Sequence, residues 1–204
     1  MIYERIKIYC ETLTKEFHNI PSQRKHVLEN IASYINTKAN EDKPVQLVYI
    51  CTHNSRRSQF GQVWAKVAGT YYKIPVHSFS GGTEATVFNT NAIHALKRIG
   101  FEIMIAQNGS NPVYHLKFDD QEKSIECFSK MYNHPVNPPS NFAAIMTCGD
   151  AEENCPFIPD VELRIATTYD DPKIYDNTPI QDAIYDERCR QIAREVFYVF
   201  SKIK

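Results

Sequence analysis

Residues 45–58, VQLVYICTHNSRRS, decide the fold. The run over 45–50 is almost wholly apolar, rich in β-branched and aromatic side chains, and too short for a buried helix, so it reads as a buried strand. It ends on Cys51. A short polar loop follows over 52–56, and helical spacing starts at Arg57. A buried strand that runs through a polar loop into a helix opens a parallel α/β unit. Further short apolar runs place strands near 75–80, 142–147 and 163–168, with helices over 57–69, 90–100 and 179–203. The last helix carries the clearest start signals: Thr178 as N-cap, Pro179 at the first helical position and Gln181 completing a capping box. Its core face is expected to be Ile180, Ile184, Ile192, Val196, Phe200 and Ile203, with Cys189 near the polar side.

Residues 1–42 read as two helices, an extension preceding a domain over 43–204. Tyr3, Ile6, Cys10, Leu13 and Phe17 recur at helical spacing in the first. Ser22 is placed to cap the second, whose apolar side is Val27, Leu28, Ile31, Tyr34 and Ile35. Within the domain, 105–140 reads as an insertion, with a β-hairpin over 113–118 and 124–132 around DDQEK.

The chain has 204 residues, 43% of them apolar, enough for a sizeable core. Its 23 basic and 24 acidic residues nearly cancel, which gives no overall attraction to nucleic acid or to a membrane surface. No signal peptide or spanning segment is expected, and a cytoplasmic location follows. The six cysteines are too sparse for a disulfide scaffold. In a reducing compartment, those that pair in space are candidates for redox or metal chemistry.

Cys51 stands at the carboxyl end of a strand, below a loop that leads into a helix. The backbone N–H groups of such a loop can converge on a tetrahedral anion. Arg57 adds a planar, permanently charged fork for two anion oxygens. The same positive field favours the nucleophilic thiolate form of Cys51, and Ser58 can hydrogen-bond its sulfur. The expected oxyanion-binding residues are therefore Thr52, His53, Asn54, Ser55, Arg56, Arg57 and Ser58. The plainer alternative is a chance Cys-to-Arg spacing at a strand end. Cys148 also ends an apolar run, NFAAIMT, so both thiols are expected at the sheet edge where open α/β folds bind ligands. Cys148 and Cys155, with polar GDAEEN between them, are candidates for redox chemistry. A zinc site or inert core thiols are the alternatives, though the spacing is long for a zinc knuckle and no second Cys/His pair accompanies it.

The stretch CTHNSRRSQ resembles the Cys-x5-Arg-Ser loop of the low-molecular-weight protein tyrosine phosphatases. It is closer still to that superfamily's thioredoxin-coupled arsenate reductases, with His53 in place of a glycine and Arg56 in place of a cysteine. Residues 78–103, 146–156 (MTCGDAEENCP) and 169–172 (YDDP) continue the resemblance, which covers about 44–104 and 141–204. It implies a three-layer α/β sandwich with a four-stranded parallel sheet, here prefaced by a helical hairpin. It also implies Cys51 as nucleophile, Arg57 as the anion fork and Asp171, next to Pro172, as the acid. Cys148 would attack the Cys51 adduct of arsenate, Cys155 would resolve the resulting disulfide, and thioredoxin would reduce the final pair. No cofactor is implied. Some relatives are supported by a potassium ion. Asn54 and Ser80 match ligand positions in those relatives, but Gln62 replaces a glutamate, so no metal is expected. Hydrolysis of phosphate monoesters through a cysteinyl-phosphate is the second enzymatic reading. A non-catalytic anion-binding or redox-regulated partner protein is a third.

Overall fold

The computed structural model describes residues 1–154 and 158–204. Two helices come first, α1 (Glu4–Lys15) and α2 (Ser22–Asn40). The buried positions of α1 are Ile6, Cys10 and Leu13, at the expected helical spacing. In α2 they are Leu28, Ile31, Ala32, Ile35 and Lys38. Ser22 is the first helical residue of α2 and not its cap; Pro21 occupies the cap position without a side-chain hydrogen bond. The chain then enters β1 (Gln46–Cys51), α3 (Arg57–Tyr72), β2 (His77–Gly82) and α4 (Thr90–Ile99). After a small antiparallel sheet come β6 (Phe142–Met146), α5 (Gly149–Asn154), β7 (Val161–Ala166) and α6 (Gln181–Ser201).

The main sheet is four-stranded and parallel, in the order β2-β1-β6-β7. Its pleat sends alternate residues to opposite faces. Leu47, Tyr49, Ala143 and Ile145 join the large cluster under α3 and α6, which also takes in the buried faces of α1, α2 and α4. Val48, Ile50, Ala144 and Met146 face a thinner layer made by α5 with Tyr132 and Ile158. The chain leaves β1 toward β2 on one side and returns to β6 on the other. The switch point between β1 and β6 is where open α/β sheets hold ligands.

Helix α3 lies so close to the sheet that a β-carbon on Gly61 would come within 2.3 Å of the Tyr49 ring. Helix α6 buries far more than one stripe: Tyr185, Cys189, Ile192, Ala193, Glu195 and every residue from Val196 to Phe200. Cys189 is therefore not on a polar side. It is fully buried and accepts a hydrogen bond from Trp64 Nε1 at 3.2 Å. The start of α6 also differs from expectation. Ile180 is the cap residue and is 50% exposed, and the helix begins at Gln181. The Thr178 hydroxyl donates instead to the Tyr175 carbonyl, a local bond that competes with capping. Gln181 does reach back, accepting the backbone N–H of Asn177.

The expected hairpin is present as β4 (Val113–Lys117) and β5 (Ile125–Cys127). A further strand, β3 (Glu102–Gln107), completes an antiparallel sheet in the order β3-β4-β5. That strand escaped the sequence reading because most of it is exposed, so it carries no alternating core pattern. No helix among the described residues is long and apolar enough to cross a membrane.

Gly61→Ala is expected to destabilise the protein by about 1–3 kcal/mol, because the sheet cannot withdraw Tyr49. Urea unfolding checks this. A midpoint equal to the wild type would show that α3 is free to shift.

Candidate active site

The loop between β1 and α3 has an asymmetric hydrogen-bond pattern. Each of its carbonyls has a donor. Cys51 takes Thr83 N–H, Thr52 takes Glu84 N–H, Ser55 takes Asn89 N–H and Arg56 takes Phe60 N–H. The His53 carbonyl accepts the Ser129 and Thr86 hydroxyls, and that of Asn54 accepts Gln59 Nε2. The backbone N–H groups of residues 53–58, by contrast, have no acceptor among the described residues. Residues 54–58 are all buried. A run of unpaired N–H groups with their carbonyls tied back is an electropositive nest at a helix N-terminus.

Asn54 holds this shape. It is the left-handed residue of the loop, with φ of 46°. Its Nδ2 donates to Ser58 Oγ at 2.8 Å, and its Oδ1 accepts the Lys130 N–H at 3.0 Å and Gln59 Nε2 at 3.2 Å. His53 has an ordinary backbone, so its β-carbon costs the loop nothing. Its imidazole reaches Glu84 at 3.4 Å. Gly82 closes the turn: a β-carbon there would meet the Thr52 carbonyl at 2.5 Å.

Cys51 lies beneath the loop, 3.0 Å from Ser58 Oγ. Since Ser58 Oγ already accepts from Asn54, the serine hydrogen is free for the sulfur. Cys148 follows β6, and β1 and β6 pair in register from Leu47–Ala143 to Ile50–Met146. Adjacent strands are about 4.8 Å apart, so the two thiols end neighbouring strands at one edge. Both belong to one buried cluster. The Cys148 sulfur lies 3.4 Å from the Thr52 hydroxyl and accepts the Ala151 N–H at 3.4 Å. Cys155 lies outside the described residues. Burial pushes the thiols of Cys10, Cys127 and Cys189 up to about 12, which leaves them protonated and inert.

Two arginines meet Asp171. Arg57 Nη2 donates to it at 2.8 Å and Arg56 Nε at 2.9 Å. Arg57 Nη1 donates to the Tyr169 carbonyl at 2.8 Å. Arg57 Nε is buried and has no partner among the described residues. Burial tends to raise the Asp171 carboxyl, but the charges of Arg57 and Arg56 and the Lys173 N–H outweigh it and hold the group below its usual range. Asp170 is exposed, and among the described residues its one ion pair is with Arg188 at 3.4 Å.

The outer wall of the loop comes from a segment the sequence reading gave no role. Ser129, the Lys130 backbone and the Phe128 carbonyl all bond the loop or Gln59. Lys130 is buried over the Phe128 ring, and burial lowers its amine to about 8. Nothing local in FSKMY signals this, because every partner is remote in sequence. Among the described residues no group of His, Cys, Asp and Glu side chains is arranged to hold a metal ion. Ser80 Oγ donates to Gln62 Oε1.

No protein-family model matches the chain. Among curated proteins it is 30% identical over 127 residues to arsenate reductase 2 of Staphylococcus haemolyticus, covering 62% of this chain and 77% of that protein. Among solved structures, an arsenate reductase in the phosphate-binding state covers 78% of this chain and 99% of its own, with TM-score 0.53 and 17% identity. A low-molecular-weight protein tyrosine phosphatase from T. tengcongensis gives TM-score 0.52 at 11% identity, over 78% of this chain and 99% of its own. At these identities the structures speak for the fold.

The Asp171 ion pairs have a defined pH signature. A carboxyl held below its unfolded value, about 3.9, contributes stability that is fully present above that value. The contribution is lost as pH falls through the lower folded value. Asp171→Asn should therefore lower the urea midpoint at pH 7 and flatten the decline in stability below about pH 4. Variant and wild-type curves that run parallel through that range would contradict the pairing.

Proposed function

The chain belongs to the arsenate reductase family, built on the low-molecular-weight protein tyrosine phosphatase fold, and from that premise we propose that it reduces arsenate to arsenite with Cys51 as nucleophile and a thiol relay recharged by thioredoxin. The observation that carries this reading is the uncommitted donor set above Cys51, the N–H groups of 53–58 together with Arg57 Nε, with a second thiol at the end of the next strand.

In this reading arsenate lies over Cys51 with its oxygens on those donors. The Cys51 thiolate attacks arsenic in line, and the departing hydroxide leaves as water after taking a proton. Asp171 is the candidate donor. In the structure two arginines keep it ionised, so it must gain its proton as substrate binds. A dianion on Arg57 competes for the guanidinium that lowers the Asp171 carboxyl, which raises its proton affinity when a donor is needed. The Cys148 thiolate then attacks the Cys51 sulfur. The sulfur–arsenic bond breaks with its electron pair on arsenic, arsenite departs, and the two thiols become one disulfide. Arsenic gains the two electrons that the thiols lose. Cys155 attacks Cys148 and frees Cys51, and thioredoxin reduces the Cys148–Cys155 bond. Thiols supply both electrons, so no resident cofactor is invoked. Such a relay suits the cytoplasm, where thioredoxin keeps thiols reduced.

Arsenate-dependent NADPH oxidation with thioredoxin and its reductase tests the proposal. Cys51→Ser should abolish turnover. Arg57→Lys should cost about a hundredfold, because an ammonium cannot reproduce the fork.

Cys148→Ser and Cys155→Ser should each stop arsenate turnover while sparing slow hydrolysis of an aryl phosphate, which needs only Cys51, Arg57 and Asp171. Unchanged arsenate turnover in both variants overturns the relay and leaves the phosphatase as the better account.

A further inference from the structure

The two N-terminal helices lie outside the stretches that resemble the family, yet one of them approaches the candidate site through an ion pair to a buried carboxylate. Arg24, in the first turns of α2, donates from Nε to Glu195 Oε2 at 2.8 Å. Glu195 sits in α6 and is 2% exposed. Among the described residues Arg24 is its one ion-pair partner. The same carboxylate oxygen accepts the Tyr169 hydroxyl at 2.9 Å. The Arg24 guanidinium lies over the Tyr169 ring, 4.8 Å from its centroid, and its Nη2 donates to the Thr168 carbonyl at 3.3 Å.

Tyr169 is thus gripped on its ring face by α2 and at its hydroxyl by α6. Its N–H goes to the Thr147 carbonyl, beside Cys148, at 3.1 Å. Its own carbonyl takes Arg57 Nη1 at 2.8 Å. Asp171 follows two residues later. A buried ion pair is a weak source of stability, because desolvation offsets much of its attraction, but it can impose one geometry. Here the geometry imposed is the position of a carbonyl that orients a guanidinium.

We propose that Arg24 is a positioning residue for Arg57: by fixing Tyr169 it sets the guanidinium plane and keeps Arg57 Nε turned to the oxyanion. The N-terminal helices are then a working part of the anion site. This rests on the reading of Arg57 as the anion fork.

Arg24→Lys separates positioning from stability. It leaves a cation beside Glu195, so the buried carboxylate is not stranded, but an ammonium cannot span Glu195 and Thr168 while covering the ring. Reduced protein is titrated with inorganic phosphate by calorimetry, with urea midpoints measured alongside. Arg24→Lys should bind phosphate about tenfold more weakly than wild type, and should cause no further loss when added to Arg57→Lys, since both act through one guanidinium. Equal affinity in Arg24→Lys and wild type, or a full additional loss in the double variant, overturns the proposal. If Arg24→Lys does not fold, Tyr169→Phe carries the test by removing only the hydroxyl bound to Glu195. It should weaken phosphate binding in the wild-type background and not in Arg57→Lys, and any other pattern overturns the role. Wild-type phosphate affinity in Arg57→Lys would remove the anion fork and this proposal together. Loss of affinity in Arg57→Lys alone keeps the fork and rejects only Arg24.

Discussion

A backbone N–H buried without an acceptor costs about 1–3 kcal/mol, and the N–H groups of residues 53–58 have no acceptor among the described residues. A free loop would relieve that cost by turning its amides to water or by continuing the helix backward. Everything around this loop acts to prevent it. Val87, Asn89 and Glu84 bond it from the chain after β2, and Ser129 and Lys130 bond it from beyond β5. Asn54 locks its left-handed turn to the first residues of α3. The rest of the fold can be understood as the frame that holds these amides in place.

Charge follows the same logic. Arg56 and Arg57 are both about nine-tenths buried, and buried cations need counter-charge. Asp171 supplies it for both, so the acid loop is drawn over the anion loop. Arg56 gives Asp171 a second cationic partner beside Arg57. The carboxylate therefore occupies both guanidiniums at once, and under the proposed function binding exchanges one anion for another on Arg57. The thiols divide on similar grounds. Those of Cys10, Cys127 and Cys189 are sealed in apolar packing, while Cys51 and Cys148 have hydroxyl and amide partners at the sheet edge.

What was legible in the sequence was local. The strand ending at Cys51, the polar loop and the helix from Arg57 are contiguous, so periodicity and residue type sufficed. Cys148 could be placed beside Cys51 because it too ends an apolar run, and parallel sheets align such ends. The failures have physical reasons of their own. A single helical stripe puts Cys189 on the polar side, whereas α6 packs against α1, α2, α3 and α4. Thr178 looked like a cap, but its hydroxyl found a nearer carbonyl. Strand β3 has too little buried surface to imprint a pattern. The links from Ser129 and Lys130 to the loop, and from Arg24 to Glu195, join residues far apart in the chain, and composition cannot encode them.

Those remote links share a direction. The insertion braces the anion loop from the β2 side, through Asn54 and Gln59. The N-terminal helices contact Tyr169 and Glu195 through Arg24, and the Tyr169 carbonyl in turn accepts from Arg57. Additions that served only to enlarge the core would have no reason to place a buried lysine in one, or in the other an arginine paired to a buried glutamate, since such groups are costly and weakly stabilising. Polar groups of that kind are tolerated where geometry matters more than stability. Both sets end on the donors that surround Cys51. The parts of the chain that lie outside the family resemblance therefore send their buried polar contacts toward the loop after β1 and toward Tyr169.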